Sequence, residues 1–67
     1  MAKEYAEIAA ALHRSRMVTE MQRNSVRREA GLAALRLAAI DIAATLAAVD
    51  PGFDRAGFVA SAGGESI

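Results

Sequence analysis

The sequence predicts an all-α fold, and two features of the chain carry that prediction. From Ala2 to Val49 there is no proline and one glycine, and the strong helix formers Ala, Leu, Arg, Glu and Met dominate. Apolar residues then recur at steps of three and four, the spacing of one helix packed on another. With 67 residues, one tyrosine, two phenylalanines and no cysteine, the chain has a thin core and no disulfides. We therefore expect one helical domain over residues 1–62, a flexible tail at 63–67, and an oligomeric helical bundle.

The apolar residues of the first helical stretch change sides along the chain. One group clusters on one side of the helix: Tyr5, Ile8 and Leu12. At about 100° per residue, a second group falls on roughly the opposite side: Met17, Val18 and Met21. Either the helix bends or breaks between His13 and Ser25, giving a single bent helix or a helical hairpin, or its two faces serve different partners. A restarted helix has three candidate caps: Ser15, Thr19 with Gln22 three residues later, and the Asn24-Ser25 pair. A break near Asn24-Ser25 is favoured.

The second helical stretch has the sharpest apolar spacing. Six residues step by three and four along one face, and we expect them to form the oligomer interface: Leu32, Leu35, Ala39, Ile42, Leu46 and Val49. A second stripe with the same rhythm runs beside them: Ala33, Leu37, Ile40, Ala44 and Ala47. A helix that is apolar on more than one face is expected in the middle of a bundle or dimer.

A short C-terminal helix is predicted after a turn. Asp50-Pro51-Gly52 ends the long helix, because the residue before a proline is driven out of the helical region. Asp54 is the expected N-cap of a helix over about residues 55–62. Phe53 precedes this cap and Phe58 follows at the fourth helical position, the arrangement of a hydrophobic staple. The two rings are therefore expected to dock the terminal helix.

The segment from Asp50 to Gly63 resembles the ending N-P-x-F-D-R-x-x-F-x-x-x-x-G of small open reading frames from actinobacteria and their phages. It covers 14 of the 67 residues. The chain departs from that pattern at Gly57, where a charged residue is usual, and at Ser61-Ala62, where Ala-Cys is common. Most of those proteins have no assigned function. The resemblance implies a phage or mobile-element origin and a structural role for the two phenylalanines, and it implies no chemistry.

The chain is expected to be cytoplasmic and to have no membrane span. Its beginning is charged and lacks the uninterrupted apolar stretch of a secretory signal. The most apolar window, residues 30–49, contains Arg36 and Asp41. Each of these charges costs about 2.5–3.5 kcal/mol at the centre of a bilayer, and alanines offer little in return.

No catalytic, cofactor or metal site is predicted. His13 is the only histidine, there is no cysteine, and no carboxylate lies within four residues of it. It therefore lacks both a nucleophile to activate and enough partners to hold a metal, and a solvated helix histidine is the expected state. Gly63-Gly64 has no following lysine, so a phosphate loop is excluded as well. We expect a protein that is not an enzyme.

The segment Arg14–Arg28 is the candidate partner face. It holds five arginines and one glutamate, a net charge of +4. On one continuous helix Arg16, Arg23 and Arg27 would lie within about 40° of one another. Such a ridge suits acidic groups of a protein or a phosphate backbone. The alternative is that these arginines form a solvated helix face without a partner, in which Glu20 pairs with Arg16 and with Arg23 or Arg27.

The function predicted from these features is protein–protein binding by a homo-oligomer without catalysis. One alternative is a small DNA-binding regulator that uses the Arg14–Arg28 segment. Nucleic acid is the less favoured partner, because the total charge is zero and no aromatic residue lies between Tyr5 and Phe53 to stack on bases. A second alternative is a structural component of a helical or virion assembly.

Overall fold

The computed structural model describes residues 2–63, over which the chain forms three helices and no strand. Helix α1 is Lys3–Glu20, α2 is Ser25–Val49 and α3 is Arg55–Gly63. The all-α fold is confirmed. Helices α1 and α2 form an antiparallel hairpin, because the hydroxyl of Tyr5 near the start of α1 donates to Oδ2 of Asp50, just after α2, at 3.0 Å. The alternative of one bent helix is therefore wrong.

The hairpin turn, residues 21–24, forms without glycine or proline. Helix α1 ends in short-range bonds, since the backbone N–H of Met21 donates to the carbonyl of Val18 at 3.1 Å. Asn24 then caps α2, its Oδ1 accepting the backbone N–H of Arg27 at 3.0 Å. The predicted restart at Asn24-Ser25 is confirmed. The guanidinium of Arg28 donates to the carbonyl of Gln22 at 3.1 Å and satisfies a turn oxygen.

Close to this turn α1 and α2 approach one another at Gly31. A Cβ added to Gly31 would lie 2.6 Å from Cγ2 of Thr19 on α1. The hydroxyl of Thr19 is itself fixed, because it donates to the carbonyl of Ser15 at 2.8 Å. The single glycine of α2 therefore sets how closely the two helices can pack.

The terminal helix begins as the sequence predicts and ends one residue later. Asp54 lies at the predicted cap position, where its Oδ1 accepts the backbone N–H of Gly57 at 2.9 Å. Gly63, expected in the tail, is the last residue of α3. The rest of the predicted tail, residues 64–67, lies outside the described residues.

The core is built from one phenylalanine and small residues. Phe58 of α3 is fully buried against the hairpin. The other buried side chains among residues 2–63 are alanines: Ala9, Ala39, Ala43 and Ala62. Phe53 is half-buried, with its ring centroid 4.9 Å from that of Tyr5 and 5.4 Å from that of Phe58. The docking of α3 by the two phenylalanines is confirmed.

The contact of Tyr5 with Asp50 joins the two ends of the hairpin. Its hydrogen bond to Asp50 raises the pKa of Tyr5 above the usual value of 10.0, because only the protonated phenol can donate to the carboxylate. Partial desolvation and the negative charges of Asp50 and Glu4 act in the same direction. Ionisation of Tyr5 therefore opposes this closure.

Candidate interaction surfaces

Half of the predicted oligomer interface is used inside the chain. The six residues are Leu32, Leu35, Ala39, Ile42, Leu46 and Val49. Ala39 is buried in the core, and Ile42 and Leu46 pack against it half-buried. At these three positions the chain supplies packing of its own, and the contact between chains expected for the six residues stays a prediction. The reason is that a three-four spacing identifies a face that packs on a helix, without saying which chain supplies that helix.

Two further members of the set line a cleft. Leu32 and Leu35 are half-buried in a cleft of about 280 Å³ between the hairpin and the end of α3. Its floor is apolar and its edge carries charges of both signs: Arg16, Glu29 and Arg36. The last member, Val49, is 75% exposed at the end of α2.

The face of α2 that its own chain leaves uncovered is the second apolar stripe. Two residues nearer the start of α2, Val26 and Ala30, continue its spacing. We call the whole set the outer stripe: Val26, Ala30, Ala33, Leu37, Ile40, Ala44 and Ala47. Val26 is 75% exposed, Leu37 68% and Ile40 45%. Of the alanines, two are exposed and two half-buried. The stripe runs nearly the whole length of α2 and contains no charged side chain.

Helix α2 is also long and apolar enough to cross a membrane, judged by length and composition alone. Only 11% of its most apolar stretch is buried within the chain. Arg36 and Asp41 lie within the helix. The absence of a membrane span stays a prediction.

The arginines of the candidate partner face do not form one helical ridge. Arg16 lies on α1, Arg23 in the turn and Arg27 in the first turn of α2, since the helix breaks at residues 21–24. Their predicted alignment within one helix is therefore wrong. Arg16 pairs with Glu20, its Nε lying 3.1 Å from Oε1. The pairing expected of Glu20 with Arg16 is thus present, and binding of a partner by Arg23 and Arg27, both exposed, stays a prediction.

His13 is half-buried, where a solvated side chain was expected. It follows buried Ala9 by one helical turn and so shares its inward side of α1. Its Nδ1 is shielded from solvent without a hydrogen-bond partner. Among residues 2–63 no group of three or more acidic, histidine or cysteine side chains is placed to hold a metal ion.

Comparison with known proteins identifies no relative of this chain. Neither the protein-family models, nor the curated proteins, nor the solved structures contain a match to this chain.

Proposed function

We propose that this chain is a small, non-catalytic helical protein of phage or mobile-element origin that acts in the cytoplasm by binding protein, first of all further copies of itself. The main observation that supports this proposal is the outer stripe of α2. It is an apolar helix face about 30 Å long, at 1.5 Å per residue, and five of its seven residues are exposed to solvent. A helix that is apolar around most of its circumference is stable when both faces are covered.

The small core supports the same proposal. Four of the five buried residues between 2 and 63 are alanines, which contribute little buried area each. Leu37 and Val26 expose more than two thirds of their surface on the same helix that supplies buried Ala39 and Ala43. Burying the outer stripe against another chain adds the apolar area that this core lacks.

The test is the mass of the protein in solution across a concentration series. The wild-type chain is expected to sediment as a multiple of 7.0 kDa. Leu37→Glu should shift it toward the monomer while leaving the helical content unchanged, because Leu37 is 68% exposed in the folded chain.

Val18 offers a matched control, since it is 69% exposed but belongs to α1 and not to the outer stripe of α2. Val18→Glu should leave the mass unchanged. A wild-type chain that remains monomeric throughout contradicts the proposed self-association. Association that survives Leu37→Glu contradicts the assignment to the outer stripe.

A further inference from the structure

We propose that copies of this chain associate through the outer stripe in parallel and in register, with the α2 helices together and α1 and α3 outside. The inference rests on the proposed self-association and goes further, because it assigns the orientation and register of the copies. Three features of α2 lead to it: the period of the stripe, its small residues, and the charges along its edges.

The period of the stripe is that of a coiled coil. From Val26 to Ala47 its seven positions advance by four and three in strict alternation, a repeat of 3.5 residues kept over three heptads. Ile42 and Leu46, which pack against the core, lie about 150–170° away around the helix, and buried Ala43 lies about 90° away. Five positions of the seam are exposed, and a helix from another chain has access to them without displacing α1 or α3: Val26, Ala30, Ala33, Leu37 and Ile40. Ala44 and Ala47 are half-buried at its far end.

The small residues of the stripe favour a second copy as the occupant. Leu37 and Ile40 form its centre, and pairs of alanines flank them on both sides. Alanines let two helix backbones approach closely, but only where the facing helix is also small at the same height. In register, a second copy sets Ala30 against Ala30 and Ala44 against Ala44. A partner with large residues throughout its seam would hold the helices apart and leave gaps beside the alanines.

The charges beside the stripe favour the parallel orientation. Arg36 precedes Leu37 at one edge, and Asp41 follows Ile40 at the other. In a parallel pair, a residue at the first edge lies beside the residue five positions later on its neighbour, which brings Arg36 next to Asp41 of the second copy. Arg36 already has a contact within its own chain, and its five N–H donors allow a further acceptor.

Two copies can also align their alanines when the α2 helices are antiparallel. In that register Leu37 faces Ile40, Ala30 faces Ala47 and Ala33 faces Ala44 of the second copy. This register places Arg36 beside Arg36 and Asp41 beside Asp41 of the second copy, because each edge then meets the same edge. Like charges at these flanking positions destabilise the pair. The charge pattern therefore distinguishes two arrangements that bury the same apolar residues.

Disulfide crosslinking tests the orientation, because the chain has no cysteine of its own. Ala30→Cys should crosslink to itself under mild oxidation, since in register the two Cα atoms lie within the reach of a disulfide of about 7 Å. Ala47→Cys should do the same. In the antiparallel register Ala30 faces Ala47, and two Ala30 residues are about 25 Å apart.

Ala11→Cys, at an exposed alanine on α1, is the control for random collision. We expect Ala30→Cys to crosslink at least roughly tenfold faster than this control, because association raises the effective concentration of the paired thiols. Mixing Ala30→Cys with Ala47→Cys should add no faster product. A mixed disulfide that forms in preference to either self-disulfide overturns the parallel arrangement.

Sedimentation of the same variants separates the two levels of the inference. Suppose that the variants sediment as oligomers while Ala30→Cys and Ala47→Cys crosslink no faster than Ala11→Cys. That result overturns the parallel in-register arrangement but is consistent with self-association. A monomer in every case overturns both.

Discussion

Because α1 and α2 approach closely at Gly31, the methyl group of Thr19 should decide whether Gly31→Ala raises or lowers the free energy of unfolding. Alanine in place of glycine inside a helix normally stabilises it by about 0.8–1.0 kcal/mol. Here the new Cβ would lie 2.6 Å from Cγ2 of Thr19, against about 3.5–4.0 Å for an ordinary carbon contact. The helices must then separate by about 1 Å, or Thr19 must rotate.

Rotation of Thr19 is opposed by its own structure. A β-branched side chain has few allowed rotamers in a helix, and its hydroxyl donates to the carbonyl of Ser15 at 2.8 Å. Overpacking of this kind costs about 1–3 kcal/mol. Set against the gain in helix propensity, Gly31→Ala should lower the free energy of unfolding by about 1 kcal/mol.

In a Thr19→Ser background, the effect of Gly31→Ala on the free energy of unfolding should have the opposite sign. Serine keeps the hydroxyl and its bond to Ser15 but lacks Cγ2, and the remaining Thr19 atoms near the new Cβ are 3.9 Å away. In that background Gly31→Ala should raise the free energy of unfolding by about 0.8–1.0 kcal/mol. Urea unfolding of the wild type, both single variants and the double variant measures the coupling directly. All four must be compared at one protein concentration, since the stability of an oligomer depends on it. An equal effect of Gly31→Ala in both backgrounds would refute the reasoning.

Two further predictions concern the docking of α3 and the closure between Tyr5 and Asp50. Phe58→Ala should lower the free energy of unfolding by about 3–5 kcal/mol, because the ring is fully buried, whereas Val18→Ala at a 69% exposed site should change it little; a loss below about 1 kcal/mol in urea unfolding would contradict this packing. The raised pKa of Tyr5 means that the stabilisation from its protonated form is complete below pH 10.0 and is lost as the pH rises through the folded-state pKa. The difference in Tm between the wild type and Tyr5→Phe should therefore shrink above that pH, and a difference that stays constant argues against the hydrogen bond.

Local signals in the sequence were enough to predict that the chain is helical and where α3 begins, and they favoured a break at Asn24-Ser25 without deciding between a hairpin and one bent helix. Asn24 caps α2, Asp54 precedes α3, and the turn at residues 50–52 separates them, as their side-chain chemistry predicts. The hydrophobic staple of Phe53 and Phe58 was predictable for the same reason. Each of these features depends on residues within a few positions of one another, so a short stretch of chain contains the whole signal.

Contacts between distant segments were beyond the reach of those signals. Nothing near Tyr5 points to Asp50, which is 45 residues away and comes within hydrogen-bond distance only when the hairpin closes. The close approach of Gly31 to Thr19 likewise depends on how the two helices cross. The predicted arginine ridge failed because its geometry assumed one unbroken helix through residues 21–24.

The sequence by itself determined that α2 has two apolar faces, and only the tertiary structure decided which of them the chain covers. Periodicity reports that a face is apolar and packs at helical spacing, and both stripes satisfy it equally. The choice depends on where α1 and α3 lie once the turns have closed. They bury Ala39 and Ala43 and leave Leu37 and Ile40 exposed, so the face that remains for other chains is a property of the assembled fold.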